Sequence, residues 1–210
     1  MKRKTIEVGL YEVNCSILSA GEQALVVDPG AEAERIAALL AADALTPVAI
    51  LLTHAHFDHI GGIPELLARF PALPVLVGAP DVRVFSHPLN QLAPDYPPVS
   101  RPATLRTLDS RTELPAFAPG GAFAAMQVIE TPGHTPGGVC YYFPSEKILL
   151  SGDTLFAGSV GRTDFPNGDM ATLRTSLTKL TALPTDTHVV PGHGPETTIA
   201  AELAANPFLL

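Results

Sequence analysis

The sequence has 210 residues, of which 46% are hydrophobic and 16% charged, a balance that excludes intrinsic disorder. The formal net charge is −8, and the basic residues are scattered singly after Lys4, so the basic stripe that nucleic-acid binding needs is missing. No apolar run reaches the roughly 18 residues of a membrane span, and Glu7, Glu12 and Asn14 interrupt the region where a signal peptide would be apolar. We therefore predict a soluble cytoplasmic protein without nucleic-acid or membrane partners.

The first part of the chain alternates apolar runs with one stretch of helical spacing. Strands are predicted at residues 5–13, 15–19, 24–27, 48–52 and 75–77. Helices are predicted at residues 31–42, where acidic residues occupy the first turn, and at residues 62–70, where Pro64 lies in the first turn. Residues 80–119 are rich in proline and weakly periodic, which predicts a long excursion over the surface.

Regular patterns return in the last third of the chain. Strands are predicted at residues 125–130, 139–143, 147–150 and 187–190, and helices at residues 170–180 and 196–204. This mixture indicates an α/β protein with two β-sheets and helices outside them, not one parallel sheet. Cys15 and Cys140 both lie in strand-like apolar stretches, so we interpret them as buried hydrophobic residues.

Histidine and aspartate follow four of the predicted strands, each beside a glycine or proline that can turn the backbone. These residues are His54, His56, Asp58, His59, His134, Asp153 and His193. Strand ends are rigid places from which several side chains can converge on one point. The sequence therefore predicts one site built from four separate segments, whereas His87 and His188 are interpreted as ordinary residues outside it.

The residue types in this set point to metal binding. His54 and His56 are two positions apart, so in extended backbone they face the same side and can reach one ion, while a turn can bring Asp58 and His59 to a second. Imidazole and carboxylate suit zinc, iron or manganese, and no thiolate is present to select a softer metal. A structural zinc site is closed by four ligands, so seven candidates indicate two divalent ions.

The sequence resembles the metallo-β-lactamase superfamily in the motifs Thr53-His54-Ala55-His56-Phe57-Asp58-His59, Gly133-His134-Thr135, Gly152-Asp153 and Gly192-His193-Gly194. The resemblance covers the whole chain and implies one domain, residues 1–210, folded as an αβ/βα four-layer sandwich. It implies that His54, His56 and His134 bind a first metal, that Asp58, His59 and His193 bind a second, and that Asp153 bridges them. Asp28 resembles the early aspartate of the family, which orients a ligand from behind.

Within this superfamily the sequence is most similar to the glyoxalase II-like thioesterases. The similarity lies in Ser151-Gly152-Asp153-Thr154-Leu155-Phe156, in Gly161-Arg162-Thr163-Asp164-Phe165-Pro166 and in Asn206-Pro207-Phe208-Leu209. It resembles a short bacterial subgroup without the C-terminal helical segment that helps bind glutathione. Arg162 stands where longer members carry a Lys-x-Tyr pair for a substrate carboxylate, and a guanidinium can bind such a group bidentately. Pairing of Arg162 with Asp164 or Asp169 is the alternative.

These features predict a metal-dependent hydrolase that cleaves a thioester such as S-D-lactoylglutathione. Two divalent ions, with zinc expected before iron or manganese, would lower the pKa of bound water so that hydroxide is available at neutral pH. Asp58 is the candidate proton shuttle. The alternatives are a persulfide dioxygenase using one Fe(II) and a lactonase or other esterase of the same superfamily. A β-lactamase is disfavoured because that class typically uses a cysteine ligand, and a non-catalytic binding module because no ligand is lost.

Overall fold

The first of two β-sheets has six strands. The computed structural model describes residues 1–87, 98–112, 121 and 123–209. Within this sheet the strands follow chain order: β1 (Lys2–Val8), β2 (Val13–Ala20), β3 (Gln23–Val27), β4 (Thr46–Leu51), β5 (Val75–Gly78) and β6 (Leu105–Leu108). β1 to β3 pair antiparallel and β3 to β6 pair parallel. The parallel crossovers carry helices α1 (Ala33–Ala42), α2 (Phe57–Ile60) and α3 (Ile63–Arg69).

The second sheet has five strands and is also mixed. Its strands are β7 (Gln127–Glu130), β8 (Val139–Phe143), β9 (Ile148–Gly152), β12 (His188–Pro191) and β13 (Thr197–Thr198). They lie in the order β13-β12-β9-β8-β7, and only β12 and β9 pair parallel. A small hairpin, β10 (Leu155–Phe156) and β11 (Ser159–Val160), follows β9, and helices α4 (Met170–Thr181) and α5 (Ile199–Ala205) complete this half.

Alternation along the strands explains the layers. Leu25 and Val27 of β3 pack in one apolar cluster with Tyr141 of β8, so this cluster fills the space between the sheets. Val26, between them, points to the opposite face and packs with Ile36 of α1. In the second sheet, four residues of the outer face pack against Leu173 and Leu177 of α4: Cys140, Tyr142, Leu149 and Val189. The predicted αβ/βα arrangement of two face-to-face sheets with helices outside is confirmed.

Several predicted boundaries differ from those of the structure for identifiable reasons. α1 begins at Ala33 and not at residue 31 because Glu32 has a left-handed backbone, with φ of 54°. α5 begins only at Ile199 because Thr197 and Thr198 first pair with β12. The predicted surface excursion over residues 80–119 is wrong in part, since Ala79–Ser86 forms a 3-10 helix and β6 lies at the edge of the first sheet. Residues 88–97 and 113–120 lie outside the described residues.

The two sheets meet where the predicted site residues lie. Val139 N donates to Thr53 O at 2.8 Å, and Gly192 N donates to Gly152 O at 2.9 Å, so the ends of β4, β8, β9 and β12 are hydrogen-bonded into one edge. Asn14 N also donates to Gly192 O, at 2.8 Å, which ties the first hairpin to the segment after β12. Among the described helices, none combines the length and apolarity of a membrane span.

Candidate metal centre

All seven predicted ligands converge at this common edge of the sheets. Their ligand atoms form three overlapping groups, each within 4.8 Å: His54, His56 and His134; His54, His59 and Asp153; and Asp58, His59 and His193. His59 is fully buried, and His56 and His193 are more open to solvent. The HxHxDH segment reaches the edge because it follows the buried strand β4, and Asp58 and His59 turn inward on the short helix α2.

In four of the imidazoles, Nδ1 contacts a polar group of the protein on the side away from the cluster, and Nε2 faces the cluster. Nδ1 of His134 lies 2.7 Å from the carbonyl of Arg162, and Nδ1 of His193 lies 2.8 Å from the carbonyl of Tyr11. A carbonyl can only accept a hydrogen bond, so both Nδ1 atoms carry a proton, and Nε2 is the atom that holds the lone pair when the ring is neutral.

One carboxylate, that of Asp28, lies behind both His54 and His59. Oδ2 of Asp28 is 3.1 Å from Nδ1 of His59, an ion-pair contact without the alignment of a hydrogen bond. Asp28 accepts hydrogen bonds from the backbone N of Thr53, at 2.8 Å, and from its Oγ1, at 2.6 Å. Because the Thr53 hydroxyl donates to Asp28, it can only accept from Nδ1 of His54, 3.1 Å away. Such outer partners fix the tautomer of a metal-binding histidine.

The first group brings the nitrogens of His56 and His134 together. Nε2 of His134 lies 2.9 Å from Nδ1 of His56, and the rings of His54 and His56 are 4.7 Å apart between centroids. Nitrogen ligands of one tetrahedral zinc lie about 3.4 Å apart. Nε2 of His54 is buried and has no hydrogen-bond partner among the described residues. The three ring nitrogens lie within 4.8 Å of one another, a spacing that suits one cation.

The second group has the same character. Nε2 of His59 lies 3.3 Å from Nε2 of His193, which in turn lies 3.3 Å from Oδ2 of Asp58. Asp153 lies between the two groups: its Oδ1 is 3.5 Å from Nε2 of His59, and its Oδ2 is 3.5 Å from Nε2 of His134. Oδ1 of Asp153 is also buried without a hydrogen-bond partner among the described residues. Oδ2 also lies 3.7 Å from Nε2 of His193, so this one carboxylate contacts residues of both groups.

The electrostatics of the cluster fit bound cations. Burial lowers the pKa of His54, and it lowers the pKa of His56 to about 3, so both rings are neutral and able to coordinate. Burial alone would raise the pKa of Asp153, but the neighbouring imidazoles of His59 and His134 hold it well below its usual range. Within the described residues the ion-pair partners of Asp58 and Asp153 are histidines, and neither lysine nor arginine pairs with them. Buried carboxylates need compensating positive charge, which divalent ions would supply.

Two glycines allow the segments to approach one another. A Cβ at Gly192 would clash with Oδ1 of Asp153 and with the ring of His59. Gly152 has φ of 49°, and a Cβ there would clash with the hydroxyl of Thr53. Only glycine fits at both positions, and this allows the segments that carry Asp153 and His193 to reach the cluster.

The structure adds contributors that the motifs do not reveal. Asp81 is fully buried in the 3-10 helix, where it accepts hydrogen bonds from Ala55 N at 3.0 Å, Thr135 Oγ1 at 2.9 Å and Gly137 N at 2.6 Å. It thus links the segment carrying His54 and His56 to the segment carrying His134. A lone aspartate in an apolar stretch carries no signal of this role in the sequence.

Arg162 lies at the rim, and its guanidinium is already paired. It donates to both oxygens of Asp164, from Nε at 2.7 Å and from Nη2 at 2.6 Å, and its Cζ lies 3.9 Å from the centre of the Phe165 ring. The Phe165 ring is in turn 5.7 Å from the ring of His56. Asp169 instead caps α4 by accepting from Thr172 N at 2.7 Å. Of the two predicted acidic partners, Asp164 is the one that pairs with Arg162.

Residues 8–193 match the model of the metallo-β-lactamase superfamily. With this match and the His/Asp cluster, the protein belongs to that superfamily and is a metallo-hydrolase. It is 38% identical over 217 residues to the probable metallo-hydrolase YqgX of Bacillus subtilis, with 100% of this chain and 98% of the relative covered. It is 34% identical over 216 residues to the hydroxyacylglutathione hydrolase GloC of Haemophilus influenzae, with 100% and 98% covered.

Solved structures share the fold over almost the whole chain. BLEG-1, described as a B3 metallo-β-lactamase, is 36% identical with a TM-score of 0.86 and covers 99% of both chains. TTHA1623, described in a di-iron-bound form, is 38% identical with a TM-score of 0.87 and covers 98% of this chain and 100% of its own. ETHE1 from Myxococcus xanthus is 27% identical with a TM-score of 0.73, covering 99% of this chain and 84% of its own.

Proposed function

We propose that the protein hydrolyses a thioester of a small acidic thiol, with S-D-lactoylglutathione as the expected substrate, and that it does so in the cytoplasm with two zinc ions. The observation that carries this proposal is the position of Asp153, which presents Oδ1 to His59 and Oδ2 to His134. A carboxylate so placed suits a pair of ions. The relative named GloC, a hydroxyacylglutathione hydrolase, supports the thioester as substrate class.

The proposed ligand assignment follows the geometry of the groups. His54, His56 and His134 would hold the first ion, and Asp58, His59 and His193 the second, with Asp153 shared. When bound, a divalent pair supplies a nucleophile at neutral pH by lowering the pKa of water, and it polarises the substrate carbonyl. The protein's own residues hold the imidazole nitrogens in place, through Asp28, Thr53 and the carbonyls of Arg162 and Tyr11.

Asp58 is the residue that we propose to move a proton. Its Oδ2 lies 3.3 Å from Nε2 of His193, and the side chain is largely buried, so its other oxygen can face the reacting groups. In hydrolysis a proton leaves the attacking water, the carbon–sulfur bond breaks, and the sulfur leaves as a thiolate that finally takes up a proton. A carboxylate beside the attacked carbon is suited to accept the first proton and return it to sulfur.

Arg162 remains our candidate for binding a substrate carboxylate. Because Asp164 already accepts from Nε and Nη2, the substrate must replace Asp164 at the guanidinium. We expect Arg162→Ala to raise KM for S-D-lactoylglutathione far more than KM for a neutral thioester. Equal effects on the two substrates would leave Arg162 with a structural role only.

A persulfide dioxygenase is the second candidate function. Nε2 of His134 lies close both to Nδ1 of His56, at 2.9 Å, and to Oδ2 of Asp153, at 3.5 Å. Two histidines and one carboxylate are the ligand set of many oxygen-using Fe(II) centres. The structural likeness to ETHE1 from Myxococcus xanthus is compatible with this alternative.

One experiment separates hydrolysis from oxidation. Zinc has no redox chemistry, so a zinc-dependent hydrolase turns over without oxygen, whereas a dioxygenase requires Fe(II) and O₂. The protein is loaded with zinc or with iron, and each form is assayed for thiol release from S-D-lactoylglutathione under anaerobic conditions. Oxygen uptake with glutathione persulfide is measured in parallel with an electrode, and a chromogenic cephalosporin tests the activity named for BLEG-1.

We expect the zinc form to release thiol anaerobically and to consume no oxygen with persulfide. Oxygen uptake by the iron form, with negligible thioester cleavage by either form, would establish the dioxygenase instead. Cleavage of the cephalosporin without thioester cleavage would make the protein a β-lactamase. We do not expect this outcome, because Cys15 and Cys140 are both buried and neither belongs to a metal-binding group, so the cysteine ligand typical of that class is missing among the described residues.

A further inference from the structure

A cavity of about 370 Å³ lies between the 3-10 helix and two segments that adjoin the candidate metal ligands. Its walls include Pro136, two residues after His134, and Asn167, two residues after Phe165. Since the Phe165 ring lies 5.7 Å from the ring of His56, the segments that carry Pro136 and Asn167 both run from the first ligand group to the wall of the cavity. Its volume falls in the range of roughly 300–1,000 Å³ that is usual for small-molecule sites.

The opposite wall of the cavity is the 3-10 helix Ala79–Ser86 together with His87. Asp81 in this helix points inward and is bonded to the backbone of Ala55 and Gly137, so the helix is fixed to both ligand segments. Arg83 belongs to the same helix and lines the cavity. The position of Arg83 relative to the cluster is therefore set by the buried hydrogen bonds of Asp81.

The chemistry of the cavity favours an anion. Arg83 is exposed, and none of the ion pairs or side-chain hydrogen bonds within residues 1–87, 98–112 and 123–209 uses its guanidinium. None of the described residues that line the cavity is acidic, although the protein carries a net charge of −8. Asn167 contributes an amide, and Ala79, Val84 and Pro136 contribute apolar walls. An arginine beside apolar surface binds carboxylate or phosphate through strong charge-assisted hydrogen bonds.

We propose that this cavity binds the anionic part of the thiol carrier, a carboxylate or a phosphate, with Arg83 as its principal ligand. This inference rests on the proposed thioesterase function and adds the site that holds the leaving half of the substrate. Arg162 must first exchange Asp164 for a substrate group, whereas none of the described residues pairs with the Arg83 guanidinium. The acyl group then lies toward the metal cluster and the charged end of the thiol lies against the 3-10 helix.

Binding is measured first, because it does not depend on turnover. The metal-loaded protein is titrated with S-methylglutathione, which carries carboxylates and no free thiol, and with coenzyme A blocked at sulfur, which carries phosphates. Wild type, Arg83→Ala, Arg83→Lys and the control Arg69→Ala are compared by calorimetry, since Arg69 is an exposed arginine at the end of α3 that does not line this cavity. Arg83→Ala should weaken binding of at least one compound about tenfold or more, as expected for losing a hydrogen bond to a charged group.

Arg83→Lys should retain part of this affinity, and Arg69→Ala should match wild type. Loss confined to S-methylglutathione identifies a carboxylate as the ligand, and loss confined to blocked coenzyme A identifies a phosphate. Equal affinity of wild type and Arg83→Ala for both compounds, or no binding of either by wild type, overturns the inference.

Turnover provides the second readout and separates the inference from the function it rests on. KM is measured for S-D-lactoylglutathione and for the lactoyl thioester of N-acetylcysteamine, which has the same acyl group and no charge. If the carrier is a peptide thiol, Arg83→Ala should raise the first KM about tenfold more than the second. Absence of thioester cleavage by wild type, with Arg83-dependent binding intact, would reject the proposed function but not the anion site.

Discussion

Oδ2 of Asp28 lies 3.1 Å from Nδ1 of His59, which places a buried carboxylate directly behind the ring that faces Asp153 and His193. The same carboxylate accepts hydrogen bonds from the backbone N and the hydroxyl of Thr53, so it contacts both the start of the HxHxDH segment and its last histidine. Asp28 itself has φ of 50°, a left-handed conformation that aspartate tolerates better than most residues. A residue at the end of β3 is thus essential to the geometry of a site built after β4.

Asp28→Asn should lower metal affinity while leaving the fold intact. An asparagine amide carries no charge, so the imidazole of His59 loses the carboxylate that lies 3.1 Å from its Nδ1. Partners of this kind are worth about 10- to 100-fold in metal affinity. Competition with a fluorescent chelator measures the change, and Asp43→Asn, which alters only an exposed pair with Lys4, is the control. Unchanged affinity would show that Asp28 does not orient His59.

Asp153→Ala should reduce the metal content more than a substitution of any residue that belongs to only one of the two proposed metal sites. Its carboxylate contacts both groups, so its loss affects both, and the protein should fall from about two ions per chain to fewer than one. Elemental analysis of protein loaded with excess zinc measures this, with His188→Ala, an exposed residue at the start of β12, as the control. Retention of two ions would disprove the bridging role.

Asp81→Asn should destabilise the protein and weaken the first ligand group. The carboxylate accepts three hydrogen bonds in a fully buried position, and an amide can accept at only one of its two atoms. Leaving one or two buried donors unsatisfied costs about 2 kcal/mol or more. Urea unfolding measures the free energy of unfolding, and zinc titration measures the affinity. A loss below about 0.5 kcal/mol would contradict an anchoring role.

The Arg162–Asp164 pair predicts a pH dependence. The hydrogen bonds from Arg162 lower the pKa of Asp164 to about 2. A carboxyl whose pKa is lower in the folded state stabilises above its unfolded pKa of about 3.9, and this contribution is lost as the pH falls through the folded value. Carboxyl ¹³C NMR should therefore find Asp164 ionised at pH 3.5 in the wild type. In Arg162→Ala it should titrate near 3.9, and a normal pKa in the wild type would mean that the pair is not formed in solution.

Both cysteines should resist thiol reagents in the native protein. Burial raises the pKa of Cys140 to about 11 and raises that of Cys15 further still, so little thiolate exists at pH 8. Reaction with an aromatic disulfide reagent should be slow in buffer and should reach both thiols in denaturant. Rapid labelling of either cysteine in the folded protein would contradict its full burial.

The sequence patterns predict the layers and the seven ligands because both depend on local features. The apolar runs at 48–52 and 139–143 become β4 and β8, and the glycine-flanked histidines mark strand ends. β6 escapes prediction because only Leu105 and Leu108 of its four residues are buried, which gives too short a pattern. The contributions of Tyr11 and Arg162 to the ligand rings come from main-chain carbonyls, which every residue possesses. Only tertiary structure can assign these roles, and the same is true of Asp81.

The hydrogen bond between Nδ1 of His193 and the carbonyl of Tyr11 joins positions 182 residues apart. On the ribosome, the first hairpin emerges long before the imidazole that it must orient. His54, His56 and His134 are all synthesised while the last strand is still missing, so the nascent chain can assemble one ligand group well ahead of the other. A ligand group that includes His193 can therefore be completed only after β12 and the segment behind it have been synthesised.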